Sequence, residues 1–178
     1  MLTSKGVFCI QMSSMKKLVL LMVAALFLQV ANAGVSDTAK LYNPKADAAA
    51  DIAAAVKLAK KEHKLVLIQA GGNWCGWCIR FNKFVHEDMQ LDSAIKANYI
   101  VYHLNYSPEN KNADIFKKYS YAQRFGFPVF LVLNDKGQLI HTQNSAYLEE
   151  GKGYSKKKVL EFFSQWNVGS FKPENYKD

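Results

Sequence analysis

The sequence predicts an α/β domain built on a mixed sheet of four to five strands with helices on both faces. Three observations carry that expectation. Strand-like apolar runs alternate with amphipathic helical runs through the first half of the chain, as crossover connections between parallel strands require. Two strand-like runs then follow one another across a tight turn. The chain closes on another amphipathic helix, so a βαβ beginning is joined to a ββα end.

The N-terminus reads as a targeting segment. Met15-Lys16-Lys17 precedes the apolar run Leu18 to Leu28, and Ala31-Asn32-Ala33 supplies a small-residue site. A basic start, an apolar core short for a bilayer span and a small-x-small site make a cleaved export signal. The expectation is therefore that residues 1–33 are removed, with Met15 as the true start, and that 34–178 form a single domain. An uncleaved N-terminal anchor is the alternative. Cys9 falls in the dispensable leader, so Cys75 and Cys78 are the cysteines of the expected mature chain. Loss of Lys5, Lys16 and Lys17, with no acid, lowers the net charge from +8 to +5. The remaining basic residues are scattered or in short runs such as Lys156-Lys157-Lys158, without the dense stripe that nucleic acid requires.

Within the domain, "VSDTAKLYNPK" reads as an extended polar arm. Residues 46–63 predict a helix with Ala48, Ile52, Ala55, Val56 and Ala59 on one face and Lys57, Lys60 and Lys61 on the other. "KLVLIQA" (64–70) predicts a buried central strand closed by Gly71-Gly72. A second helix opens at the cysteines, with Cys78, Phe81, Phe84, Val85 and Met89 facing the core. "YIVYHLNY" (99–106) is a second strand, rich in β-branched and aromatic residues. A short helix spans roughly 113–124, and "FGFPVFLVLN" holds the next strand, introduced by Gly-Phe-Pro. Asp135-Lys136-Gly137-Gln138 turns the chain into Leu139 to Thr142. Ser155 caps a last helix, 156–166, which buries Val159, Leu160, Phe163 and Trp166.

The segment "GGNWCGWCIRF" (71–81) carries the chemistry. A zinc knuckle needs more ligands than one cysteine pair, and His63, His86, His103 and His141 are single and widely spaced. Haem attachment needs histidine after the second cysteine, where Ile79 stands. A structural disulfide is the plain reading for an exported protein, but so short a loop constrains the unfolded chain little. The redox reading explains more. Cys75 at a helix start and Cys78 one turn in are neighbours, and the helix N-terminus stabilises a thiolate at Cys75. A nucleophile with its own resolving partner is what thiol–disulfide exchange requires. A dithiol that holds Cu(I) in a copper-handling module is the alternative from a different class.

These residues also resemble the thioredoxin superfamily over 46–166. "VLIQAGGNWCGWC" is similar to its strand–turn–helix active site, and "YAQRFGFPVFLVLNDKGQLI" to its following strand pair. The resemblance implies a thioredoxin fold in which Cys75 attacks and Cys78 resolves, the two forming a redox-active disulfide. It makes Trp74 the tryptophan before the first cysteine, with Gly76-Trp77 between the two. It makes Pro128 a cis-proline beside the disulfide and Phe127 the residue whose backbone pairs with substrate. On its residues alone, Pro128 reads as an ordinary proline at a strand start; for Trp74, core packing is the plainer alternative. "QNSAYLEEGKGYSKKKVLEFF" further resembles exported thioredoxin-like proteins described as disulfide isomerases.

The resemblance thus implies a periplasmic oxidoreductase that reduces or isomerises protein disulfides, with an oxidant that introduces them as the rival. Cysteine-containing proteins would be its substrates and a membrane-bound thiol:disulfide electron donor its partner. A monomer with no cofactor and no metal is expected, since one fold uses up the mature length and the cysteine pair lacks further ligands. Two departures stand out. Gln69 lies where thioredoxin has a buried acid that manages protons, so another group or water must do that work. Trp77 replaces a proline, which restores an N–H near Cys75 and brings a large ring to the substrate surface.

Overall fold

The computed structural model describes residues 40–177. The expected export signal and Cys9 lie outside the described residues. The chain order is α1 (Ala48–Glu62), β1 (Leu65–Gly71), α2 (Gly76–Glu87), α3 (Met89–Asn98), β2 (Tyr99–Asn105), α4 (Ala113–Lys118), β3 (Val129–Leu133), β4 (Leu139–Asn144), β5 (Glu149–Glu150), β6 (Gly153–Tyr154) and α5 (Lys156–Gln165).

The main sheet runs β2-β1-β3-β4. The β1–β2 pair is parallel, while β1–β3 and β3–β4 are antiparallel. This is the mixed, four-stranded sheet expected, with β5 and β6 forming a separate small hairpin. All residues of β1 and β3 are buried, as a continuous apolar run covered on both faces requires.

The strand period of two divides the core into layers. Val66, Ile68 and Ala70 of β1 join Val129, Leu131 and Leu133 of β3 against α1 and Phe116. Leu65 and Leu67 join Phe130 and Val132 on the opposite face, against Phe81 and Val85 of α2, Leu91 and Ile95 of α3, and Val159, Phe162 and Phe163 of α5. Each fully buried Val, Leu, Ile or Phe side chain among these contributes about 1.5–3 kcal/mol.

Local chemistry sets the element ends. The Asp47 side chain caps α1 by accepting from Ala50 N at 3.0 Å, and His63 ends the helix in the left-handed region. The alanine face buries Ala48, Ile52, Ala55 and Ala59. Asn134 organises the β3–β4 turn, its Oδ1 accepting from Lys136 N and Gln138 N at 3.0 Å each.

Several expected boundaries move. The second helix does not carry Met89 on its buried face. Asp88 is extended, and its carboxylate accepts from Gln90 N and Leu91 N to start a new helix, α3. Met89 is therefore 90% exposed. A Lys156 ammonium 2.7 Å away holds the Asp88 carboxyl below its ordinary range, with the Leu91 N–H assisting. The helix expected over 113–124 stops at Lys118, because Ser120 and Tyr121 take positive φ before a short 3-10 turn at Ala122–Phe125. The strand introduced by Gly-Phe-Pro begins at Val129, directly after Pro128, as expected. Ser155 stands at the start of α5, but its side chain makes no capping bond. Phe162 is buried there beside Val159 and Phe163, whereas Leu160 and Trp166 are half-buried. The polar lead is not a free arm: Tyr42 is fully buried.

Candidate active site

β1 delivers the chain to a turn that ends at Cys75, the N-cap of α2. Cys75 has extended backbone angles, and its N–H donates to Gly72 O at 2.9 Å. Its Sγ receives the Cys78 N–H at 3.2 Å. No acid lies in the first turn of α2, so the positive end of the helix faces this sulfur uncompensated. The N–H that reaches Cys75 is thus that of Cys78, rather than the one tryptophan restores at position 77.

The two cysteines form a disulfide, with Cα atoms 5.3 Å apart. Cys75 keeps 5% of its surface exposed and Cys78 none. Around them gather Tyr42 and the half-buried Leu41, Trp77 and Phe127. The Phe127–Pro128 peptide is cis, the isomer that the resemblance implies.

Trp74 is not core packing. It is 57% exposed, and its Nε1 donates to Tyr106 O at 2.7 Å. Its ring stands edge-on to Phe127, with centroids 5.6 Å apart, and Phe127 lies 4.9 Å from Tyr106. These rings make an aromatic wall beside the cysteines. Trp77 is tied down on the other side, edge-on to Tyr154 at 5.5 Å with the Arg80 guanidinium 4.8 Å over its ring. Its carbonyl accepts from Tyr154 Oη at 3.2 Å. Gly76 has open space where a side chain would be.

The glycine pair ahead of the cysteines is explained by close approach. A Cβ on Gly71 would lie 2.4 Å from Cys78 Sγ and 2.9 Å from Tyr42 Oη. A Cβ on Gly72 would lie 2.3 Å from Trp74 Nε1 and 2.7 Å from the Tyr106 carbonyl oxygen. The backbone oxygen cannot swing aside, so Gly72→Ala is expected to break the Trp74–Tyr106 bond and to cost about 1–3 kcal/mol, as overpacking does. Tryptophan fluorescence and thermal unfolding of the variant check both. A variant with unchanged emission and midpoint would contradict the assignment.

Gln69, near the end of β1, is 3% exposed. Its Nε2 donates to Tyr42 Oη at 2.8 Å and to Cys78 O at 3.0 Å. Asn73, in the cysteine turn, clamps the tyrosine's backbone reciprocally: Tyr42 N donates to its Oδ1 at 3.0 Å, and its Nδ2 donates to Tyr42 O at 2.7 Å. Across the sheet, His103 pairs in register with Gln69 and sets its ring edge-on to Tyr42 at 5.6 Å. Burial, and to a lesser degree the charge of His86, push the His103 pKa down to about 4. His86 itself is a surface residue, 2.7 Å from the Asp92 carboxylate.

The structure therefore gathers Cys75, Cys78, Trp74, Trp77 and Phe127, with Gly76 and Pro128 adjacent to them in the chain. Sequence reasoning missed Tyr42, Asn73 and His103. For Tyr42 the signal was "LYNP", an aromatic within a polar lead. Among the described residues, no cluster of three or more His, Cys, Asp or Glu side chains could hold a metal ion.

A family model described as thioredoxin-like matches residues 47–135, half of the chain. No curated protein matches the sequence. A solved structure described as a disulphide isomerase from Xylella fastidiosa Temecula1 aligns with TM-score 0.61 and 23% identity, covering 70% of this chain and 94% of that one. The oxidised C-terminal domain of DsbD from Neisseria meningitidis aligns with TM-score 0.48 and 20% identity, covering 68% and 97%. The architecture is the thioredoxin fold, with a CxxC-spaced disulfide at the start of α2.

Proposed function

The chain belongs to the thioredoxin-like family, and from that premise we propose that it is a thiol–disulfide oxidoreductase that reduces or isomerises disulfides of exported proteins. One observation carries the proposal: the Cys75–Cys78 disulfide closes over the N-terminus of α2, with Cys75 the less buried residue and its sulfur the acceptor of a helix N–H. A sulfur so placed is favoured as thiolate.

In the reducing direction, the Cys75 thiolate attacks a substrate disulfide and forms a mixed disulfide, releasing the other substrate sulfur as thiolate. Cys78 then attacks Cys75, and the second substrate sulfur leaves. The substrate gains two electrons and the enzyme becomes oxidised. Phe127, against the cysteines, offers its backbone to an extended substrate segment, and the exposed Trp74 offers apolar contact. In this proposal the protein works in the periplasm as a monomer, after removal of residues 1–33, and a membrane-bound thiol:disulfide partner re-reduces it.

Catalysed insulin reduction and reactivation of scrambled ribonuclease test the proposal together. Wild type is expected to accelerate both, and Cys75→Ser neither. Acceleration only of dithiol oxidation would replace the proposal with the oxidant reading.

A further inference from the structure

Resolution by Cys78 demands a thiolate at a sulfur with no exposed surface, and burial in apolar surroundings opposes its ionisation. Gln69, beside it, cannot titrate. We propose that Tyr42 is the positioning residue for this step: its hydroxyl, oriented by Gln69, donates a hydrogen bond to the Cys78 thiolate. This inference rests on the exchange reaction proposed above.

The geometry supplies each part. Tyr42 is fully buried in one cluster with both cysteines. Its oxygen accepts from Gln69 Nε2 at 2.8 Å, which points its own proton away from Gln69. On the bare face of Gly71, Tyr42 Oη and Cys78 Sγ converge on the space that a Cβ would fill. Asn73 fixes the tyrosine backbone to the same turn that carries Cys75. Gln69 also holds the Cys78 carbonyl at 3.0 Å, so one amide positions both the hydroxyl and the cysteine.

Tyr42 is a donor and not a base. Burial holds its pKa far above the ordinary tyrosine value, despite the opposing Gln69 hydrogen bond. The charged and titratable groups around it do not intervene: His103 stays neutral down to about pH 4, and burial likewise keeps Tyr154 protonated. In the step itself, the Cys78 S–H ionises and its thiolate attacks the Cys75 sulfur. The Cys75–Cys78 bond forms and the Cys75–substrate bond breaks. The departing substrate sulfur takes the electron pair and picks up a proton from solvent, replacing the one Cys78 released. Tyr42 keeps its own proton throughout.

Stopped-flow reaction of the reduced protein with dithiobis(nitrobenzoate) separates the two attacks. The first release of nitrothiobenzoate depends on reagent concentration and reports Cys75; the second does not and reports Cys78. Tyr42→Phe keeps the ring and removes the hydroxyl. Its second phase is expected to slow about tenfold at neutral pH, with its pH midpoint raised by about one unit, as loss of a hydrogen bond to a charged group implies. Its first phase should be unchanged. Gln69→Met, which removes the orienting donor, should move the same midpoint upward by less. A folded variant of either kind with the wild-type midpoint overturns the role of Tyr42, as does equal slowing of both phases. If the wild type itself releases only one equivalent, the exchange reading fails before Tyr42 is reached.

Discussion

Cys78→Ser is expected to convert the protein into a covalent trap. Cys75 retains its position at the N-cap of α2, where the positive helix end favours its thiolate. It attacks substrate disulfides as before, but no second sulfur resolves the product. Mixed disulfides with protein partners should accumulate on non-reducing gels and vanish when reductant is added. Cys75→Ser should trap little and should lose essentially all insulin reduction, because Cys78 has no exposed surface from which to attack. Alkylation of the reduced wild type should likewise favour Cys75, with a midpoint below the free-thiol value of about 8.5. Equal trapping by the two variants would show that the roles are shared.

The largest effect on stability is expected from Phe81→Ala. Phe81 is the anchor of α2, 1% exposed, with its ring centroid 4.4 Å from Phe130 and 5.0 Å from Tyr154. Removing a buried aromatic ring of this kind costs about 3–5 kcal/mol, through lost transfer energy and the cavity left behind. In a domain of this size that lowers Tm by about 10 to 20 °C. Because Phe81 lies one turn beyond Cys78 on the same helix, exchange activity should fall well below the temperature of global unfolding. Circular dichroism melts run beside insulin reduction measure both. A drop of only a few degrees would mean that α2 is held to the sheet by something other than this ring.

The parts of the fold carried by strong periodicity were legible in the sequence. β1 and β3 stand out as continuous apolar runs, and α1 as an amphipathic alanine-rich helix, because burial on both faces or on one stripe leaves that trace. The cysteine pair was legible for a similar reason, since spacing at a helix start limits what the residues can do. What was lost depends on single hydrogen bonds. The break between α2 and α3 comes from the Asp88 carboxylate capping Gln90 and Leu91, within a run whose composition is helical throughout. The stop at Lys118 comes from left-handed backbone at Ser120 and Tyr121, where neither a glycine nor an asparagine announces it. Tyr42 was hidden because its burial is a long-range event, fixed by Asn73 and Gln69 some thirty residues away. The same holds for the glycine pair, whose purpose is room for Cys78 Sγ and the Trp74 indole rather than backbone freedom.

The central claim is that the Cys75–Cys78 bridge is a redox couple and not a staple. Equilibration of the folded protein with glutathione buffers of graded poise, followed by acid quench, alkylation and mass measurement, tests it most directly. The account predicts a reversible two-electron transition between disulfide and dithiol, approached from either side to the same midpoint, with any glutathione adduct on Cys75. A bridge that stays oxidised in every buffer, and yields its thiols only when the protein is unfolded, would contradict it.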